Sequence, residues 1–344
     1  MLEGLEHEFG MEYPILTIIR QFRELYKLKY TFVDRIPHYV NRWPFDGRVH
    51  CEIKCTRTVN GRKATANPNL MAQPEHGRFA ADFKAGWVAD DGHVVAQWDS
   101  SQIELRVLAH ISQDPVMCAI FRGERRNPDG SLIDLHAALA ERIFGVPPIQ
   151  QDKHKHRYPV KEVNFGLPNG MGAHGLTLAL RAKGVMLDED DAQRWIDETM
   201  ALYEGVAAYQ TRLKEEARRT GTVRCESGRI RYIGGIHSTD DRIREEAERL
   251  AFSMPIGEGA QWIMKHVEAA VWKDILVPRL KRGLWIEPLL QVHDSLKLEM
   301  ESGLQDEVHL EMRQAMNHSH HLSVPLECEG EWGQNFRDMS SFAQ

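Results

Sequence analysis

The sequence predicts a chain of the α+β class. Two stretches of strand-type alternation carry that expectation, together with long segments of helical spacing between them. Ahead of and including Asp99, Val94, Ala96 and Trp98 alternate with Val95, Gln97 and Asp99, a period of two that argues a strand with one buried face. Ile103, Val107, Leu108 and Ile111 then recur at helical spacing, so the chain turns from strand to helix just past a carboxylate. The second alternation sets Leu290, Val292, Leu296, Leu298 and Met300 against Gln291, His293, Ser295, Lys297 and Glu299, and predicts a two-sided strand or hairpin.

From the N-terminus, an acidic start leads into a helix whose apolar face carries Ile15, Ile18, Ile19, Phe22, Leu25 and Tyr26. Pro37, Trp43-Pro44 and Gly47 mark turns, residues 49–59 suggest strands, and Asn60-Gly61 is a tight-turn signal. The polar run from Arg62 to Leu70 has no local reading as core. Pro115 and the segment 123–131 break the pattern after the strand-to-helix turn. A helix over 134–144 then stops sharply at Gly145 and Pro147-Pro148. Arg157, Lys161 and Phe165 follow, four apart, so a helix sets a guanidinium, an ammonium and an aromatic ring along one stripe. Pro159 fits only its first turn. Residues 188–220 read as a long charged amphipathic helix or a pair, and 224–232 as strand with a turn at Ser227-Gly228. Helix returns over 240–264, with an interruption expected at Pro255 and Gly257. The tail predicts a helix from Val308, an apolar strand over 324–328, and Trp332 closing the domain.

At 344 residues there is room for a substantial core in one large or two smaller domains. No uncharged apolar run reaches the ~18 residues that span a bilayer, and no basic segment followed by an apolar one opens the chain. The expectation is a soluble protein of the cytoplasm or another reducing compartment, without a membrane role. The five cysteines are odd in number and scattered, which indicates neither a disulfide framework nor a zinc site. A net charge of −7 argues against nucleic-acid binding by the whole surface. Basic clusters at 122–126, 153–161 and 218–231 still allow a local groove that steers a polyanion.

Asp99 followed by two serines ahead of an apolar-periodic run also reads as an ordinary helix cap. Asp294 falls on the apolar side of its alternation. A lone buried carboxylate there would cost several kcal/mol, so it belongs at a turn or beside a cation, a metal being the most economical one. Two strand-borne aspartates, a cationic helix and polar Arg/Asn loops fit phosphoryl transfer, in which a divalent pair about 3.5–4 Å apart holds the attacking and leaving oxygens. Mg²⁺ suits such oxygen ligands. On the residues alone, polymerase and nuclease both stay open.

The run from Asp99 through Ser100, Gln102, Glu104 and Arg106 to His110 closely resembles motif A of the family A DNA polymerases, the bacterial DNA polymerase I class. Arg157, Lys161 and Phe165-Gly166 look like their motif B, and Gln291-Val292-His293-Asp294 like motif C, in the family's order. The segment from Asn60-Gly61-Arg62 to Pro68-Asn69-Leu70 is similar to the one preceding motif A, and Asp134-Leu135-His136 and Arg249 fall at matching places. The resemblance covers roughly residues 25–335. It implies a right-hand polymerase fold with an antiparallel palm sheet and helices at 28–112 and 239–344, and mostly helical fingers at 113–238. Residues 1–27 would be a thumb remnant or N-terminal helix, the thumb being truncated or absent.

The same resemblance implies a DNA-directed DNA polymerase that adds deoxynucleotides to a primer 3′ end. Asp99 and Asp294 would hold two Mg²⁺ ions, Mn²⁺ being able to substitute, helped by the backbone carbonyl of Ser100. Lys161 would neutralise the triphosphate and protonate the departing pyrophosphate. Arg157 and His136 would bind phosphate oxygens, and Phe165 would stack near the incoming nucleotide. Glu104 would crowd the position of a ribose 2′-hydroxyl, with Gln102 and Asn169 also on the nucleotide side. Arg62, Asn69 and Arg249 would touch primer-template DNA, and His293 would lie near the primer terminus. The implied partners are primer-template DNA, dNTPs and a separate chain supplying thumb, exonuclease or processivity function.

Several positions depart from the family pattern. Asn169 stands where motif B usually has Tyr, Ser295 where motif C continues with Glu, and Ser253 and Gly257 where Asn and Gln usually follow Arg249. The segment 71–74 also differs. About 25 residues precede the palm-like sequence and no proofreading site is visible, so weak, salt-sensitive DNA binding is expected. The rival expectation is a catalytically silent polymerase-fold subunit that binds DNA or a partner; retention of Asp99, Asp294, Lys161 and Arg157 argues against it. A nuclease would leave Lys161, Phe165 and Glu104 without a use.

Overall fold

Among the residues described by this computed structural model, 13–42, 45–74 and 79–342, the chain forms helices, one five-stranded antiparallel sheet and two small hairpins. The acidic start of the chain and the Trp43-Pro44 turn lie outside that range. In chain order the elements are α1 (Ile15–Leu28), α2 (Ile36–Val40), β1 (Glu52–Lys54), β2 (Ala64–Ala66), α3 (Ala80–Ala85), β3 (His93–Ser100) and α4 (Ile103–Ser112). Next come α5 (Pro115–Phe121), α6 (Leu135–Phe144), α7 (Tyr158–Gly166), α8 (Ala173–Arg181), α9 (Glu189–Leu202), α10 (Glu204–Thr220), β4 (Thr222–Arg224) and β5 (Ile230–Tyr232). The remainder is α11 (Asp241–Ala270), α12 (Val277–Lys281), β6 (Ile286–Val292), β7 (Ser295–Glu301), α13 (Gln305–His318), β8 (Cys328–Gly333) and β9 (Met339–Ser341).

The chain divides into two compact units: Gln21–Ile103, Ala260–His321 and Leu326–Gln344 form one, and Met1–Arg20, Glu104–Gly259 and Leu322–Pro325 form the other. The first holds the five-stranded sheet, ordered β6-β7-β3-β8-β9 with every pair antiparallel. β3 is its central strand, and this changes the reading of its alternation. Val94, Val95 and Ala96 are buried in succession because both faces of the strand are covered there, and the period of two holds only from Gln97 to Ser100. Trp98 is fully buried; its indole Nε1 donates to His309 Nδ1 at 3.0 Å, and its ring stacks on Phe342 with centroids 5.8 Å apart. Gly330 on the neighbouring strand makes room for it, since a Cβ at that residue would sit 2.7 Å from the indole. At the other end of β7, the buried Glu299 carboxylate takes Arg48 Nη1 at 2.6 Å and the Asp90 amide at 2.8 Å.

Among its described residues the second unit is helical apart from the β4–β5 hairpin. Leu139, Ala140, Val160, Val163, Leu176, Leu180 and Trp195 form one cluster that packs α6, α7, α8 and α9 together. Local signals set the helix ends: Asp134 Oδ1 accepts from the Ala137 amide at 2.7 Å, Asp188 caps α9 through the Asp191 amide at 2.7 Å, and Gly145 closes α6 with φ +68°.

Four expectations change. Between residues 49 and 59 only Glu52–Lys54 is strand, and a nine-residue connection rather than the Asn60-Gly61 turn alone joins it to β2. α11 runs through Pro255 without the expected interruption. Proline removes one hydrogen bond and crowds the preceding turn, a cost of about 3 kcal/mol. The burial of Phe252, Met254, Ile256, Ala260 and Ile263 along the same helix offsets it. The strand expected over 324–328 instead begins at Cys328, as β8, because Val324 and Leu326 are buried as irregular chain rather than paired. The apolar stripe of α1 forms, yet Ile15, Ile18 and Phe22 remain exposed.

Candidate active site

The candidate residues divide between the two units. Asp99, Ser100, Gln102, Arg62, Asn69, His293 and Asp294 belong to the sheet-bearing unit; Glu104, His136, Arg157, Lys161, Phe165, Asn169 and Arg249 belong to the helical one.

In the sheet-bearing unit, Asp99 is not the cap of the helix that follows. It pairs within the sheet, opposite Ser295 on β7 and Glu329 on β8, and α4 begins four residues later. The β6–β7 hairpin closes in a two-residue turn made of His293 and Asp294, since Val292 pairs with Ser295. The Ser100 amide donates to the Asp294 carbonyl at 3.1 Å, which joins the end of β3 to the hairpin tip and puts both aspartates at one end of the sheet. Asp99 is exposed on the face that lines a 480 Å³ cleft with Val95, Gln97, Val292, Ser295 and Lys297. Burial pushes the Cys328 thiol up to about 11, with the charge of Asp99 adding to the rise.

Backbone strain collects here. Gln102 and His293, both non-glycine, have φ of +54°. Such left-handed residues cost on the order of 1–3 kcal/mol each and persist where surroundings over-determine them. At His293 the determinants are two amide donors, Gln261 Nε2 at 3.2 Å and Gln291 Nε2 at 2.9 Å, both directed at its carbonyl. Gln261, on α11, is a residue that sequence reading missed; its contact is long-range and no motif marks it. Gln261→Ala is expected to slow turnover by about tenfold through misplacement of the Asp294 turn, with a stability loss of about 1 kcal/mol. Steady-state kinetics beside urea unfolding would separate the two effects.

Asp99, Asp294 and the Ser100 carbonyl offer hard oxygen atoms of the kind that fit Mg²⁺, which takes a few protein carboxylates and leaves positions for phosphate oxygens. Among the described residues no group of three or more His, Cys, Asp and Glu gathers as a metal site. Arg62 and Asn69 flank β2: Asn69 is exposed and bonded through Oδ1 to Thr65 Oγ1 at 2.8 Å, and an ion pair between Lys63 and Glu268 ties the same loop to α11.

In the helical unit, a π-helical turn over Lys153–Arg157, capped by Asp152, leads into α7, so the Arg157, Lys161, Phe165 stripe forms across its junction with α7. Asp134 does two jobs: Oδ1 caps α6 and Oδ2 pairs with Arg157. Lys161 Nζ lies 5.3 Å over the Phe165 ring, which is 5.7 Å from the His136 ring. His136, Arg157, Lys161 and Phe165 therefore converge. The α-helix ends at Gly166 and a 3-10 turn over Leu167–Asn169 follows, leaving Asn169 exposed. Arg249 on α11 ion-pairs with Glu246. Glu104, at the start of α4, is half-buried.

Burial holds the His136 imidazole below the ordinary histidine range, aided by Lys161 and Arg157, and burial does the same for His309, aided by Arg313. A depressed folded-state value means the unfolded chain binds more protons just below pH ~6.5, so this stability is present above that pH and lost as pH falls below it. Urea midpoints measured at pH 7.5 and 5.5 should be lower at 5.5.

The profile of DNA polymerase family A matches residues 1–338. Among curated proteins, the chain is 37% identical over 317 residues to the thermostable DNA polymerase I of Thermus filiformis, covering 92% of this chain and 35% of that protein. It is 34% identical over 327 residues to DNA polymerase I of Pseudomonas aeruginosa, covering 94% and 33%. The chain thus spans about a third of the length of these relatives. Among solved structures, the POL domain of Pol1 from M. smegmatis, in complex with DNA primer-template and dNTP, superposes with a TM-score of 0.83 at 30% identity, covering 98% of this chain and 55% of that one.

Proposed function

The chain belongs to DNA polymerase family A, and on that premise we propose that it is a DNA-directed DNA polymerase, adding deoxynucleotides to a primer 3′ end. The observation that carries this reading is the bond from the Ser100 amide to the Asp294 carbonyl, which gathers both motif aspartates at one end of the sheet. In this assignment the palm comprises 28–112 and 239–344, and the fingers 113–238. The M. smegmatis structural relative, solved with primer-template and dNTP, supports the same substrates here.

Asp99, Asp294 and the Ser100 carbonyl would hold a Mg²⁺ pair, which when bound supplies charge stabilisation at the attacking and leaving oxygens. The reaction joins the primer 3′-oxygen to the α-phosphorus and breaks the bond from that phosphorus to pyrophosphate. The chain's own residues orient and neutralise the triphosphate. Lys161 and Arg157 supply positive charge, Lys161 hands a proton to the departing pyrophosphate, and His136 donates a hydrogen bond to a phosphate oxygen. Phe165, exposed beside them, offers a face for the nucleotide. Glu104 fills the space of a 2′-hydroxyl; Gln102 and Asn169 complete the nucleotide side. Arg62, Asn69 and Arg249 contact the duplex, and His293 the primer end.

Primer extension on a DNA template with Mg²⁺ and all four dNTPs tests the proposal. Template-directed lengthening of the primer is expected, whereas an unextended primer across a range of salt and protein concentration would overturn it.

A further inference from the structure

A polar cluster beneath His136 has no part in the mechanism above. Asn164, on α7, is wholly buried, with 0% of its surface exposed. Its Nδ2 donates to the Leu135 carbonyl at 3.2 Å and lies 3.0 Å from His136 Nδ1. Its Oδ1 faces the Tyr203 hydroxyl at 3.4 Å, and that hydroxyl also lies 3.3 Å from the Leu135 carbonyl. The amide cannot be turned the other way, because its oxygen would then face a carbonyl oxygen, two acceptors with no proton between them. Burial pushes the Tyr203 phenol far up, so it stays protonated and donates. Both hydrogens of Nδ2 are thereby spoken for, one on Leu135 and one on His136. An amide NH₂ can only donate, so His136 Nδ1 must accept with its lone pair, and the neutral ring carries its proton on Nε2.

We propose that Asn164, held by Tyr203, is a positioning residue that fixes His136 as the neutral Nε2–H tautomer and so gives the triphosphate a directed hydrogen-bond donor instead of another charge. This rests on the reading of His136 as a nucleotide-binding residue. The charged groups facing the ring agree with a neutral donor: Lys161 and Arg157 oppose its protonation, and Asp134 and Glu162 favour it, while burial outweighs each of them. Lys161 and Arg157 already supply positive charge, so what the ring adds is direction.

The tautomer can be read without nucleotide or activity. In the full chain labelled with ¹⁵N-histidine, long-range ¹H–¹⁵N spectra at pH 7.5, with His136 identified by its disappearance in His136→Gln, should give Nδ1 as the unprotonated nitrogen and Nε2 as the protonated one. A protonated Nδ1, or a ring averaging between the two forms, would overturn the proposal. Asn164→Asp replaces the donor by an acceptor. It should move the proton to Nδ1, raise the pH midpoint of the His136 titration, and raise KM for dNTP by about two- to tenfold, the equivalent of one net hydrogen bond, with kcat changed less. A moved proton with unaltered KM would overturn the role in nucleotide binding. If Asn164→Asp fails to fold, the spectrum of the unaltered chain still decides. Failure of primer extension would strike the polymerase reading and leave that spectrum untouched.

Discussion

Asp99→Asn and Asp294→Asn are each expected to lower single-nucleotide incorporation in Mg²⁺ by at least about a thousandfold. Loss of metal-borne charge stabilisation is worth several kcal/mol, and each ~1.4 kcal/mol is tenfold in rate. Asn keeps the shape of Asp but removes the charge that binds a hard cation. Asp99 is exposed and Asp294 sits in a turn, so the urea midpoint should stay near that of the unaltered chain. Incorporation within tenfold of the unaltered rate would remove these residues from the chemistry. A collapse in stability would instead make the pair structural.

The second large effect lies one residue away. Trp98→Ala is expected to cost about 3–5 kcal/mol of stability, the range for deleting a fully buried aromatic side chain. It also leaves His309 Nδ1 without its indole donor and Phe342 without its stacking partner. Trp98→Phe keeps much of the packing and loses the hydrogen bond, so it should cost less, about 1–2 kcal/mol. Urea unfolding of both variants checks the ordering; equal losses would mean that packing around the indole is unimportant. Asp99 follows Trp98 on the same strand, so activity should fall in the same order.

Much of this was legible because strand ends and turns announce themselves locally. The alternation around Asp99 and that over 290–300 became adjacent antiparallel strands, and the placement of Asp294 at a turn follows from the cost of burying its charge on an apolar face. The helix closed by Gly145 and the paired helices over 189–220 follow from capping and periodicity. Less legible was whatever depends on a distant partner. Continuous burial of Val94 to Ala96 requires knowing that β3 is central, and the amphipathic spacing of α1 does not reveal that its apolar side chains stay exposed. The intact α11 around Pro255 reflects packing that overrides a local breaker. In the site, side-chain types were readable, whereas Gln261 holding the His293 carbonyl and Asn164 holding His136 depend on contacts that span 32 and 28 residues.

Whether Asp99 and Asp294 together hold the divalent ions on which the proposed nucleotidyl transfer depends is tested, without requiring turnover, by Mn²⁺ titration followed by electron paramagnetic resonance. With primer-template and a non-hydrolysable dNTP analogue present, the unaltered chain should take up two Mn²⁺ ions, and Asp99→Asn and Asp294→Asn should each lose tight binding of at least one. Identical Mn²⁺ binding by the unaltered chain and both variants would show that neither aspartate holds a metal ion.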